Sequence, residues 1–394
     1  MSDARETGQP KVSPLYDPKV RSVAYQAVLC LIIGFLIYSA ISNAADNLAR
    51  AKIASGFGFW DNTAGFDISQ SLIEYSNISS YGRAFWVGLL NTLLVAALGI
   101  VFATILGFLI GIMRLSRNFL VSRLAGDYVE LIRNLPLLLQ LLFWYNAVLK
   151  ALPELRDSLT LPGGSFLNNR GLFLPQPVAG SGFSAVLAAL AIGLVGAVAF
   201  RIWARRRQER SGEQAPVLLV ALALVVGLPL VVFALAGFPV EFLYPERGRF
   251  NIRGGIEVLP ELVALLFGLS IYTAAFIAEA VRAGILAVSH GQTEAAYSLG
   301  LRARPTLRLV VIPQAMRVIV PPLTNQYLNL TKNSSLAVAI GYPDLVQVFT
   351  GTVLNQTGQA VEVVAITMAV YLTISLVTSL FMNWYNARIA LVER

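Results

Sequence analysis

An acidic and a basic side chain three positions apart, Glu279 and Arg282, stand inside the apolar run Leu259 to Leu286. There an ionised group costs several kcal/mol unless it faces protein or water. Three apart on a helix they share a face, so two chemistries are open: a mutual ion pair, or a carboxylate that holds a cationic group brought from elsewhere. A second polar set, Asn325, Gln326, Asn329, Thr331, Lys332, Ser334 and Ser335, runs through another apolar stretch, and Gln140 interrupts a third. Uncharged amides and hydroxyls at such depth suit weak, reversible binding or hydrogen bonding between helices. Arg133 precedes Pro136 in the same run as Gln140, and its long side chain can reach the membrane interface. Other chemistries have no residues to support them. Cys30 is the sole cysteine and His290 the sole histidine, which leaves no thiolate cluster, disulfide or His-rich metal site. The sequence contains no Gly-Lys dipeptide, so no phosphate-binding loop of the G-x-x-x-x-G-K type can be drawn.

The elements that must position these groups are membrane helices. The chain is 56% hydrophobic and 13% charged, with a mean hydropathy of +0.66, whereas a soluble domain carries about 25% charged residues. Its 394 residues leave room for about eight spans of roughly 20 residues each. The apolar runs are approximately Val23 to Ser42, Ala84 to Met113, Tyr128 to Leu149, Phe183 to Trp203, Pro216 to Ala236, Leu259 to Leu286, Val318 to Ile340 and Val361 to Trp384. The polar segment Met1 to Pro18 reads as a disordered tail with no cleavage site. Asn43 to Gly82 and Lys150 to Gly182 read as outer segments with short interfacial helices.

Basic residues set the orientation. With the N-terminus inside, about 18 of the 30 basic residues fall in the tail, the loops after even-numbered spans and the C-terminus. Five of them, Arg201, Arg205, Arg206, Arg207 and Arg210, crowd one turn. Both termini are therefore expected in the cytoplasm. The charge of +8 follows from the same rule and gives no reason to invoke nucleic acid.

One cytoplasmic loop has its own pattern: Glu294-Ala295-Ala296, then Gly300, Pro305, and Val310-Val311-Ile312-Pro313. Gly300 suits a helix C-terminus and Pro305 the first turn of the next helix, so the loop reads as two short helices joined by a turn. The small side chains of Ala295 and Ala296 permit close approach by another protein. This spacing resembles the EAA loop of ABC-importer permeases. Trp86 to Thr92, Arg133 to Gln140, Ala274 to Gly284 and Lys332 to Leu336 resemble the polar amino-acid branch of that family, although Asn333 stands where the branch usually has an aspartate. The overall layout is similar to the Q subunit of the general L-amino-acid transporters.

The resemblance implies an all-α membrane protein with the type I ABC importer fold. Five core helices would come from spans 2, 3, 6, 7 and 8, with the first span as an addition. Residues 1–83 would then form the tail, first helix and outer segment, and 84–390 the permease domain, with an inserted segment and helix hairpin at about 151–257. It also implies that Glu294, Ala295, Ala296, Gly300 and Pro313 couple the chain to an ATPase, and that the substrate is an L-amino acid. Glu279 would hold the substrate ammonium, with Gln140, Asn325, Asn329, Thr331, Ser334 and Ser335 as further substrate contacts. Arg133, Pro136 and Arg282 would serve a gate or the framework. The implied partners are a second, homologous permease subunit, two ATPase subunits that bind ATP and magnesium, a periplasmic binding protein and membrane lipid, all at the bacterial inner membrane.

A gradient-driven transporter using Glu279 and Arg282 as a proton relay is the rival class. It would show an internal repeat with broken helices in both halves, and none is visible. A membrane scaffold would not need polar residues through spans 6 and 7.

Overall fold

The computed structural model describes residues 18–50, 55–248 and 251–389. The expected tail lies outside them except for Pro18, as does the C-terminal Arg394. Among the described residues, seven helices are long and apolar enough to cross a membrane. In chain order, α1 (Pro18–Arg50) leads to α2 (Tyr81–Arg114), and then α3 (Phe119–Asn134) and α4 (Leu137–Leu142) follow. The helix α5 (Phe183–Ser211) turns back through α6 (Val217–Leu222) and α7 (Leu228–Leu235), joined by a wide π-helical turn. The rest comprises α8 (Pro260–Leu286), α9 (His290–Ser298), α10 (Ala303–Thr306), α11 (Ile312–Asn333), α12 (Leu354–Thr357) and α13 (Ala360–Ile389).

The expected third span is not one helix. Pro136 has no amide hydrogen to offer the carbonyl of Ile132, and its ring drives the preceding residue out of the helical region. Leu135 accordingly sits at φ −98° and ψ 133°. The chain ends α3, turns, and restarts as Leu137–Leu149, a piece shorter than the roughly 20 residues a straight crossing needs. Eight apolar runs thus become seven full-length helices and one broken pair.

The outer segments differ from the expected interfacial helices. Between Lys150 and Gly182 the chain forms β1 (Leu159–Leu161), β2 (Ser165–Asn168), β3 (Gly171–Leu174) and β4 (Gln176–Ala179). After the hairpin come β5 (Val240–Leu243), β6 (Glu246–Arg247), β7 (Ile252–Arg253) and β8 (Ile256–Val258). The order β1-β2-β3-β8 makes one antiparallel sheet, and β4 pairs with β5 across the two feet of the hairpin. Gly163 and Gly164, at φ +83° and +71°, make the β1–β2 turn, a backbone that L side chains rarely adopt. Buried Phe173 on β3 packs with Leu155 and Ile252. Burial also holds the Glu257 carboxyl above its ordinary range, with Arg170 pulling the other way. Residues 55–80 likewise are irregular chain, apart from one turn at Gly58–Asp61 and a single bridge between Thr63 and Ser80.

The chain folds as two compact units. The first takes residues up to Leu90 with Leu345–Ile374. Its core is aromatic: Phe85 meets Phe349 edge to face at 5.3 Å between centroids, and Trp60 meets Phe85 at 5.1 Å. The Tyr81 hydroxyl donates to Gln356 Oε1 at 3.0 Å.

The second unit, Asn91–Asp344 with Ser375–Arg394, is organised around α8. Pro260 and Glu261 open this helix, where a missing N–H costs nothing and an acidic side chain meets the positive end of the dipole. Its small residues Ala274, Ala275 and Ala278 are fully buried. On α2, Gly107 and Gly111 let the backbones close up: a Cβ at Gly111 would lie 2.8 Å from both the Ala278 carbonyl oxygen and Val281 Cβ. Leu265, Leu269, Leu141, Ala337 and Tyr342 fill one end of the unit, and Ile277, Val281, Ile319 and Leu330 the other.

Candidate functional site

The carboxylate in α8 is shared between two guanidinium groups. Glu279 Oε1 accepts from Arg282 Nη2 at 2.7 Å, and Glu279 Oε2 pairs with Arg114 Nη1 from the end of α2. The three side chains are 28%, 33% and 15% exposed, so the cluster is only partly screened by solvent. Beside it opens a cleft of about 490 Å³ whose lining includes Arg117, Ser122, Asp127 and Glu130. This is the geometry of the ion-pair alternative, enlarged by a second arginine. A substrate ammonium would have to share the Glu279 carboxylate with both of them. Arg282 Nε is buried without a partner among the described residues.

Arg133 does not reach into this cluster. Its guanidinium lies 5.1 Å from the Phe276 ring centroid, a cation–π contact between α3 and α8. Nearby, the Tyr128 hydroxyl donates to the Ile271 carbonyl at 2.7 Å.

Gln140 answers for the broken helix. Its Nε2 donates to the carbonyls of Ile132 and Leu135 at 3.0 and 3.1 Å; the first is the group that Pro136 leaves without an amide, and the second lies at the break itself. The side chain is buried, and Oε1 has no partner among the described residues. Gln140→Leu is expected to lower stability by about 1–3 kcal/mol, because two carbonyls would lose their donor in an apolar setting. Thermal unfolding in detergent measures the loss; an unchanged midpoint would mean that the break holds without the amide.

The remaining candidates divide by face. On α11, Asn325, Asn329 and Lys332 are exposed and spaced to form one stripe. Thr331 and Ser334 are buried on the other side and spend their hydroxyls on the carbonyls of Tyr327 and Thr331 at 2.9 and 2.8 Å. Ser335 donates to the Lys332 carbonyl at 2.7 Å. Among the described residues, Asn325 and Asn329 are thus the exposed members of the five substrate candidates on and just after α11. Pro321 and Pro322 lie inside α11.

The loop after α8 is built as its motif requires. Gly300 sits at φ +78°, Gly300 N–H donates to the Tyr297 carbonyl and Leu301 N–H to the Ala296 carbonyl, the two bonds of a Schellman cap. A residue with a Cβ would be strained there. Ala296 faces inward, while Glu294 and Ala295 are exposed. Pro305 falls in α10 and Pro313 in the first turn of α11. Gln314 Nε2 donates to Gln292 Oε1 at 3.2 Å, tying α11 to α9. Two residues outside the motif matter as much: Tyr297 and Leu299 are 51% and 83% exposed.

Sequence reasoning also passed over Asn91. It is fully buried, and its Nδ2 donates to the Pro343 carbonyl at 2.9 Å, which fastens α2 to the turn after α11. The signal was present, since Asn91 belongs to the Trp86-to-Thr92 stretch.

The fold is that of an all-α membrane protein with an exposed helical loop after α8. Residues 214–391 match the family described as the binding-protein-dependent transport system inner membrane component. The chain is 54% identical over 388 residues to the general L-amino acid transport system permease protein AapQ of Rhizobium johnstonii, covering 98% of this chain and 97% of that one. It is 40% identical to the glutamate/glutamine/aspartate/asparagine transport system permease protein BztB of Rhodobacter capsulatus, covering 96% of each. The crystal structure of an amino acid ABC transporter with histidines aligns with a TM-score of 0.46 at 23% identity, over 78% of this chain and 95% of that one. The chain belongs to the family of binding-protein-dependent inner-membrane permeases, in its amino-acid branch.

Proposed function

We propose that this permease forms half of the translocation path of an ABC importer for L-amino acids with broad, largely polar specificity. The exposed α9 loop, carrying Glu294, Ala295 and the Gly300 cap, is the observation that carries this reading. It is a surface ready for an ATPase subunit. Two such ATPase subunits bind ATP and magnesium, and a soluble binding protein delivers substrate at the opposite face. A second, homologous permease completes the path, and the stripe of Asn325 and Asn329 faces the amino acid. Both termini and the arginine-rich turn Arg201 to Arg210 lie in the cytoplasm, since five arginines in a short loop are costly to translocate.

The test is reconstitution of the permease pair with its ATPase and measurement of binding-protein-dependent ATP hydrolysis against each amino acid. Stimulation by several polar amino acids is expected. No stimulation by any of them, from a complex that hydrolyses ATP, would refute the substrate class. A cysteine at Ser211 should resist impermeant thiol reagents in intact cells, and labelling from outside would reverse the topology.

A further inference from the structure

The inserted hairpin has no part in the coupling loop or the polar stripe, yet it carries the densest charge of the chain. The apolar portion of α5, Phe183 to Phe200, is roughly 27 Å long at about 1.5 Å per residue, close to the thickness of the hydrocarbon layer. Arg201 follows at once, and Trp203 two residues later, the order in which a helix leaves hydrocarbon and enters the headgroup layer. On the returning helix α6, Leu218 and Leu219 are exposed.

The arginines differ in what they already hold. Arg205 pairs with Glu209 at 3.2 Å, four residues on along α5. Arg207 pairs with Glu213 at 2.6 Å and lies 5.4 Å from the Trp203 ring centroid. Arg206 and Arg210 have no ion pair among the described residues and are four apart, on one face of α5. Together with Trp203, Arg207, Ser211 and Glu213 they line a cleft of about 480 Å³. Two guanidinium forks set side by side match the oxygens of a phosphodiester, and a concave cationic site at headgroup depth beside apolar helix faces meets such a group as part of a lipid.

We propose that this cleft binds the phosphate of an anionic phospholipid, with Arg206 and Arg210 as its ligands and Trp203 beside the glycerol region. The site holds the hairpin at a fixed depth. The proposal rests on the hairpin crossing the membrane, whichever end faces the cytoplasm.

Native mass spectrometry of the full chain with phosphatidylglycerol and phosphatidylcholine as probes tests it. Wild type should retain phosphatidylglycerol preferentially. Each arginine at an anionic surface contributes about fivefold, so Arg206→Gln with Arg210→Gln should cut the preference roughly 25-fold. Arg123→Gln with Arg205→Gln, which removes equal charge from arginines already paired with Asp127 and Glu209, should leave most of it. Arg206→Lys with Arg210→Lys keeps the charge, loses the forks and should fall between, which separates phosphate recognition from loss of fold. Equal retention in the Gln pair and wild type would overturn the site. So would displacement of the lipid by millimolar inorganic phosphate, which would make it a free-phosphate site. An unchanged lipid preference with lost ATPase co-purification would make the turn a protein contact and overturn it too. A Val195→Cys variant that reacts freely with aqueous thiol reagents would refute the crossing itself, a failure distinct from lost lipid preference in a hairpin that stays protected.

Discussion

Glu279→Gln is expected to destabilise the permease by about 2–3 kcal/mol, because the amide leaves Arg114 and Arg282 facing each other with no carboxylate between them. The loss should appear as a lower melting temperature in detergent and reduced expression. Arg282→Gln alone should cost less, since Arg114 still neutralises Glu279. Adding Arg282→Gln to Glu279→Gln should restore much of the loss, as one free guanidinium near the membrane interface can reach water more easily than two crowded together. A double-mutant cycle on melting temperature and uptake isolates the coupling. If instead Glu279→Gln leaves stability unchanged and lowers uptake of every amino acid by the same factor, with no recovery in the double variant, Glu279 holds the substrate ammonium.

Arg114 shows why this cluster was only half legible. Glu279 and Arg282 announce themselves by a spacing of three, but Arg114 lies 165 residues away from Glu279, and its basic character was fully explained by a place in a cytoplasmic loop. Only the close approach of α2 to α8 at Gly107 and Gly111 brings it there, and a pair of glycines in an apolar run does not say which helix it will meet. Gln140 is a similar case. An amide within an apolar stretch reads equally well as substrate contact or helix glue, and the decisive facts are the Ile132 and Leu135 carbonyls at the break made by Pro136. The proline was visible, yet apolarity across Tyr128 to Leu149 outweighed it.

The helices were legible because long apolar runs leave the backbone no alternative in a membrane. The small outer sheets were not, since strands of two to four residues give too little alternation to count. Their glycine turns at Gly163-Gly164 were the available sign. On α11 the sequence could list Asn325, Asn329, Thr331, Ser334 and Ser335 as polar without telling which hydroxyls would turn back onto their own helix. The loop at Glu294 was readable in full because its order is local: a glycine that must adopt positive φ, prolines that must begin helices, and alanines that must be small.

That local order sets the largest functional effect expected here. If α9 docks into an ATPase subunit, the exposed Leu299 and Tyr297 lose their water on assembly, and burial of one leucine contributes about 2 kcal/mol, or roughly 30-fold in affinity. Leu299→Asp forfeits that burial and places a charge in the contact. Gly300→Val acts differently, since φ near +78° is strained for a β-branched residue and the Schellman cap that fixes the direction of α10 should open. Glu294→Lys reverses the sole acidic charge of the α9 surface without altering the cap. Leu299→Asp and Glu294→Lys should insert normally and melt within about 1 kcal/mol of wild type, because each lies on a solvent-exposed loop, whereas Gly300→Val should insert normally but lose about 1–2 kcal/mol to its strained backbone. Leu299→Asp should lower ATPase co-purification at least about tenfold. Gly300→Val and Glu294→Lys should let part of the complex assemble but weaken the link between hydrolysis and uptake. The ratio of amino acid imported to ATP hydrolysed in proteoliposomes is the quantity to follow. Wild-type ratios in all three, with normal co-purification, would remove the coupling role from this loop and leave α9 an ordinary helical hairpin on the membrane surface.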